Sequence, residues 1–102
     1  MFGMDIMRQV QEMQSKMAAL QEEIGKKTIT ASSGGGMVTV TITGKQEMVS
    51  IKIDNTLIGD GDAAMLEDLV LTAVNEALRQ SRDLMGREMR ALTGGINIPG
   101  LS

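Results

Sequence analysis

The sequence predicts an α+β fold in the order α-β-β-β-α, with a three-stranded antiparallel meander flanked by two long helices. Three observations carry this. An a/d heptad seam runs through the first 24 residues, two consecutive segments in the middle alternate apolar and polar residues, and an apolar stripe of helical period fills residues 63–92. A chain of 102 residues suits one domain, read as residues 1–95 followed by a flexible C-terminal tail over residues 96–102.

The first helix is read from Met4 to Ile24. Ile6, Val10, Met13, Met17, Leu20 and Ile24 are spaced four, three, four, three and four apart. At about 100° per residue they share an arc of about 80°, the narrow seam of a helix that buries itself against another helix. Asp5, Arg8, Glu12, Lys16, Glu22 and Glu23 fall outside it. The pattern leaves three partners open: a second copy of the chain, the second long helix, or both. Gly25 reads as the helix stop, and Lys26 and Lys27 suit the negative helix end.

Thr28 to Ser32 is rich in β-branched residues and reads as a short strand, with Ser33 to Gly36 as a flexible turn. Met37 to Thr43 alternates, setting Val38, Val40 and Ile42 against Thr39, Thr41 and Thr43. After a turn at Gly44-Lys45-Gln46, Met48 to Ile53 alternates again, with Val49, Ile51 and Ile53 expected inward and Ser50 and Lys52 outward. Such patterning predicts an antiparallel meander with one face buried. Asp54 to Asp62 reads as an acidic connection, and Asp62 as the N-cap of a helix from Ala63 to Leu92. The stripe of that helix is Leu66, Leu69, Val70, Ala73, Val74, Ala77, Leu84, Met85 and Leu92. Gly86 interrupts it at a cost of about 1 kcal/mol relative to Ala, so its last turns are expected to be the loosest. Thr93-Gly94-Gly95 then ends it.

One Phe, no Tyr and no Trp leave ten Met and the aliphatic residues to fill the core, and a second copy is expected to complete it. The chain has neither Cys nor His, which removes disulfides, thiolate metal sites and the commonest general base. No apolar run approaches the 18 or so residues of a membrane span and no signal-peptide core is present, so a cytoplasmic protein is expected.

Gly59 to Ala64 spells a GxGxxA dinucleotide loop, but Asp60 and Asp62 would face the pyrophosphate and the meander before it is no βαβ unit. An EF-hand loop from Asp54 or Asp60 would need a Glu where Met65 or Leu71 stands. Gly44-Lys45 lacks the remainder of a phosphate loop. No catalytic apparatus, cofactor, metal or small-molecule substrate is therefore expected.

The net charge of −3 argues against a general polyanion binder unless the charges are segregated, and they are. Every charged residue from Asp54 to Asp68 is acidic, whereas Arg79, Arg82, Arg87 and Arg90 outnumber Asp83 and Glu88 toward the end of the second long helix. Arg79, Arg82 and Arg90 share an arc of about 80° away from the apolar stripe, with Arg87 just beyond it. This polarity suits the helix dipole and solubility. It also suits phosphate recognition, because with antiparallel long helices Arg8 would join Arg82, Arg87 and Arg90 at one tip.

The chain resembles the YbaB/EbfC family of bacterial nucleoid-associated proteins over about residues 1–95. The resemblance is carried by Met1-Phe2-Gly3, the segments Gln11 to Met17 and Gln21 to Ile24, and the Ser33 to Gly36 turn leading into Val38-x-Val40-x-Ile42-x-Gly44. It continues through Ile51-x-Ile53-Asp54 and Met65 to Val70. It implies an intertwined homodimer whose protruding helices bind DNA with relaxed sequence preference. The positions it assigns to DNA are Arg8 and Lys16 in the first helix and Arg79, Arg82, Arg87 and Arg90 in the last. A nucleoid protein that grips the phosphate backbone of duplex DNA, serving chromosome organisation or gene expression, is thus the leading expectation. The alternative is an adaptor for replication, repair or regulatory partners, docked on the Met-rich helical surface.

Overall fold

The computed structural model describes residues 2–59 and 61–92. Its elements are α1 (Phe2–Lys26), β1 (Thr28–Ser33), a 3-10 turn at Gly34–Gly36, β2 (Val38–Thr43), β3 (Met48–Ile53), α2 (Asn55–Gly59) and α3 (Ala63–Leu92). The strands form one antiparallel sheet in the order β1-β2-β3. The architecture is the expected α+β plan. The tail and the Thr93-Gly94-Gly95 stop lie outside the described residues.

α3 lies across β1 and β2, and there the core forms. Ala31, Val38, Val40 and Ile42 from the sheet meet Ala73 and Ala77 of α3, with Ile29, Ile53, Leu66, Leu69, Val70, Val74 and Leu78 around them. The small residues of α3 let the helix approach the pleat, so burial comes from the sheet's Val and Ile. Two serine hydroxyls fasten the layers. Ser33 donates to the Leu69 carbonyl at 2.6 Å and the fully buried Ser81 to the Thr43 carbonyl at 3.0 Å, which satisfies polar groups that burial would otherwise penalise.

Local capping sets the start of α3. Asp62 accepts the Met65 amide at 3.0 Å, as an N-cap should, and the helix runs unbroken through Gly86 to Leu92. The connection before it contains a short helix that the sequence pattern does not predict. Asp54 accepts the Thr56 hydroxyl at 2.6 Å and amide at 2.9 Å, starting the short α2 and burying Leu57. The Thr56 hydroxyl, then its amide, hold the Asp54 carboxyl below its ordinary range.

Two further expectations are corrected. α1 does not stop at Gly25 but continues to Lys26. Val49 and Ile51 are not buried: they are 58% and 48% exposed. Ile51 pairs with Val40 and so faces the same side as the core, but α3 covers β1 and β2 and leaves β3 bare. A register shift between Thr41 and Ile42 sets Met48, also exposed, opposite Ile42.

α1 is an arm. Its base is sealed where the fully buried Ile24 meets Gly44. Burial then falls away through the half-buried Leu20 and Met17 to Met13, Val10 and Ile6, which are 48%, 50% and 58% exposed. The radius of gyration is 19.4 Å, against about 13 Å for a compact chain of this length. The 71 Å long axis exceeds the roughly 45 Å of α3. α1 adds to that length: its base meets the C-terminal half of α3 at the Lys27–Glu88 ion pair, and its outer turns lie uncovered.

Candidate nucleic-acid interface

The cations lie around the C-terminal half of α3, where three elements meet: the base of α1, the β2–β3 turn and α3. Gly44 makes the junction close. Its amide donates to the Lys27 carbonyl at 3.0 Å, and a β-carbon there would stand 2.3 Å from the Ile24 carbonyl oxygen. The turn itself is tightly ordered. Thr43 and Glu47 bond through the Glu47 carbonyl at 2.8 Å, and the Thr43 hydroxyl accepts the amides of Lys45 and Glu47, each at 3.2 Å. Gln46 takes a left-handed φ of 67°, supported by its amide bond to the Thr43 carbonyl at 3.0 Å.

Arg79, Arg82 and Arg87 are not equivalent. Glu76 grips Arg79 as a fork, with Nε at 3.1 Å from Oε2 and Nη2 on Oε1, while Asp83 takes Nη1 at 2.9 Å. The Arg79 fork, then the Gln80 amide, push the Glu76 carboxyl down to about 2, and Glu76 holds Arg79 above its ordinary value. Arg79 thus already has two carboxylate partners. Arg82 and Arg87 are exposed and make no ion pair among the described residues. Arg90 is exposed in the last turn of α3 and has a partner of its own.

Arg82 and Arg87 serve different flanks of α3. On one side a cleft of about 580 Å³ is lined by Lys27, Thr28, Arg79, Asp83 and Arg87. Lys27 bonds Glu88 at 2.6 Å beside it, so charge there is largely compensated. On the other side a hollow of about 200 Å³ is lined by Gly44, Lys45, Gln46, Ser81, Arg82 and Met85. The sequence reading missed Lys27 and Lys45 as partners of the arginines. One was spent on a helix end and the other on a turn, and no pattern in the chain announces that the two loops flank α3.

Arg8 and Lys16 are exposed on α1. The tip expected to unite Arg8 with Arg82 is not seen as one cluster. Arg82 is level with the base of α1, whereas Arg8 lies about 25 Å out along the arm at about 1.5 Å per residue. The cations are instead spread out: Lys27 with Arg87 and Lys45 with Arg82 flank α3, Arg90 stands in its last described turn, and Lys16 and Arg8 stand on the arm. The acidic residues lie at the opposite end of α3, with Asp62 capping it and Glu67 and Asp68 in its second turn. No described helix is long and apolar enough to cross a membrane.

Comparison with known proteins agrees with this fold. A protein from Syntrophobacter fumaroxidans named nucleoid-associated protein is 48% identical over 99 residues, covering 97% of this chain and 90% of its own. Relatives of that name from Desulfotalea psychrophila and Moorella thermoacetica are 50% and 53% identical, covering 95% and 93% of this chain and 92% and 91% of theirs. The crystal structure of an uncharacterized protein from Helicobacter pylori superposes with a TM-score of 0.79 at 23% identity, over 86% of this chain and 92% of that one, and so shares the fold. The sequence profile of one family spans residues 1–96, nearly the whole length, and the chain belongs to the YbaB/EbfC DNA-binding family.

Proposed function

We propose that the protein acts as a homodimer in the nucleoid, gripping duplex DNA through the arginine-bearing ends of its helices with little sequence preference. The observation that carries this reading is the pairing of an uncovered apolar arm with Arg82 and Arg87, exposed cations that have no carboxylate partner among the described residues. The arm and the bare β3 residues Met48, Val49 and Ile51 are surfaces that a second copy would cover, which doubles the cations into two matched sets. Arginine's planar fork suits phosphate oxygens, and phosphate contacts carry no sequence information by themselves. With no Tyr or Trp and one Phe, base stacking has little to work with, so the duplex rather than a single strand is the target.

Six phosphate contacts would give log K a slope of about −5 against log salt. A gel-shift titration at two salt concentrations, on wild type and on the Arg82→Ala, Arg87→Ala, Arg90→Ala triple variant, tests the reading. A marked loss of affinity and a flatter slope are expected for the variant. Binding that ignores the three substitutions would remove the mechanism. An adaptor role for the Met-rich surface would instead leave protein partners bound after nuclease treatment.

A further inference from the structure

We propose that Lys45 in the β2–β3 turn and Arg82 on α3 form a two-cation seat for a single phosphate of the DNA backbone, with Gly25 of α1 as its positioning residue. The inference rests on the DNA-binding reading above and adds a contact from the sheet, where that reading uses helices alone.

Both residues line one hollow of about 200 Å³. No Asp or Glu lines it, and neither cation has an ion pair among the described residues. This separates it from the opposite flank of α3, where Lys27 is held by Glu88 and Arg79 by Glu76 and Asp83. A cation already bonded to a carboxylate must give that bond up to reach phosphate, whereas Lys45 and Arg82 have nothing to surrender.

The seat is also held in place. The Lys45 backbone is fixed by the Thr43 hydroxyl, and Ser81, next to Arg82, is bonded to the carbonyl of the same Thr43 at 3.0 Å. One residue therefore ties both arms of the seat together. The Lys45 stem lies over Gly25, where a β-carbon would come within 2.9 Å of Cε and 3.0 Å of Cδ. The missing side chain at Gly25 is what leaves room for the stem at the base of α1, beside the hollow that Lys45 and Arg82 both line. A phosphodiester offers two free oxygens, one for the Arg82 fork and one for the ammonium.

The test is a gel-shift titration of duplex DNA between about 50 and 200 mM salt with Lys45→Ala, Arg82→Ala, the double variant, Gly25→Ala and Lys52→Ala. Each lost contact should lower affinity about eightfold at about 100 mM salt and flatten the slope by about 0.9. Because the two cations share one phosphate, the double variant should lose less than the product of the single losses. Gly25→Ala keeps every charge but displaces the stem, so it should weaken binding, whereas Lys45→Arg in the native background keeps the cation and should retain most of the affinity. Lys52 stands on the opposite face of the sheet, paired with Thr39, and its removal should leave the slope unchanged.

Equal losses from Lys45→Ala and Lys52→Ala would overturn the seat in favour of general charge. So would wild-type affinity for Lys45→Ala alongside weakened Arg82→Ala, which spares the helix-tip reading. If wild type binds no duplex, both readings fall. Unchanged circular dichroism and mass for each variant confirm that the fold is intact.

Discussion

Replacing Gly44 by alanine probes how the arm is fastened to the core. The new β-carbon would stand 2.3 Å from both the carbonyl oxygen and Cγ2 of Ile24, far inside a normal contact of about 3.5–4.0 Å. Neither atom can swing aside, because one is backbone and the other belongs to a fully buried side chain. Relief requires lifting the last turn of α1 off the sheet, which strains the Gly44 to Lys27 hydrogen bond and opens Ile24 to water. Overpacking of this kind costs about 1–3 kcal/mol, and partial loss of Ile24 burial brings the total to about 2–4 kcal/mol. For a domain of this size that lowers the melting midpoint by about 10–20 °C. Thermal unfolding followed by far-UV circular dichroism at fixed protein concentration reads it directly. Gly59→Ala is the control, since nothing lies within 4 Å of a β-carbon there. A Gly44→Ala midpoint equal to that of wild type would refute the anchoring argument.

Three further outcomes are expected. Val10→Glu places a charge on a residue already 50% exposed in the single chain, so helicity should persist while the mass falls to one copy and the melting midpoint loses its concentration dependence. Asp62→Ala removes the cap on the Met65 amide and should cost about 1 kcal/mol, a drop of about 4–8 °C in the melting midpoint. Glu76 titrates near 2 in the folded chain against an ordinary 4.5, so its bond to Arg79 stabilises above about pH 4.5 and is lost as pH falls toward 2. Melting midpoints across that window should fall less steeply for Glu76→Gln than for wild type, by a small margin because the pair is exposed. Parallel curves would contradict the assignment.

The elements with a strong local code were legible in the sequence. α3 begins on the residue that the Asp62 cap predicts, and β3 runs from Met48 to Ile53 as its alternation predicts. What failed depends on contacts between distant segments. Five residues at Asn55–Gly59 are too few to show a helical period, and Leu57 is buried only by its tertiary surroundings. Gly25 reads as a stop until the Lys45 stem is seen lying over it. Alternation told which face of β3 Ile51 occupies, but not that α3 stops short of covering it. The arginines of α3 were legible as a group. Their division into Arg79, held by Glu76 and Asp83, and Arg82 and Arg87, without an ion pair among the described residues, was not, because it turns on side-chain geometry along one helix.

The central claim, that two copies join to hold a duplex, is tested most directly by light scattering on the purified chain at low salt, alone and with a short DNA duplex. The account predicts twice the 10.9 kDa of one chain when alone, and two chains per duplex in the mixture. A mass of one chain that does not change when duplex is added would contradict it.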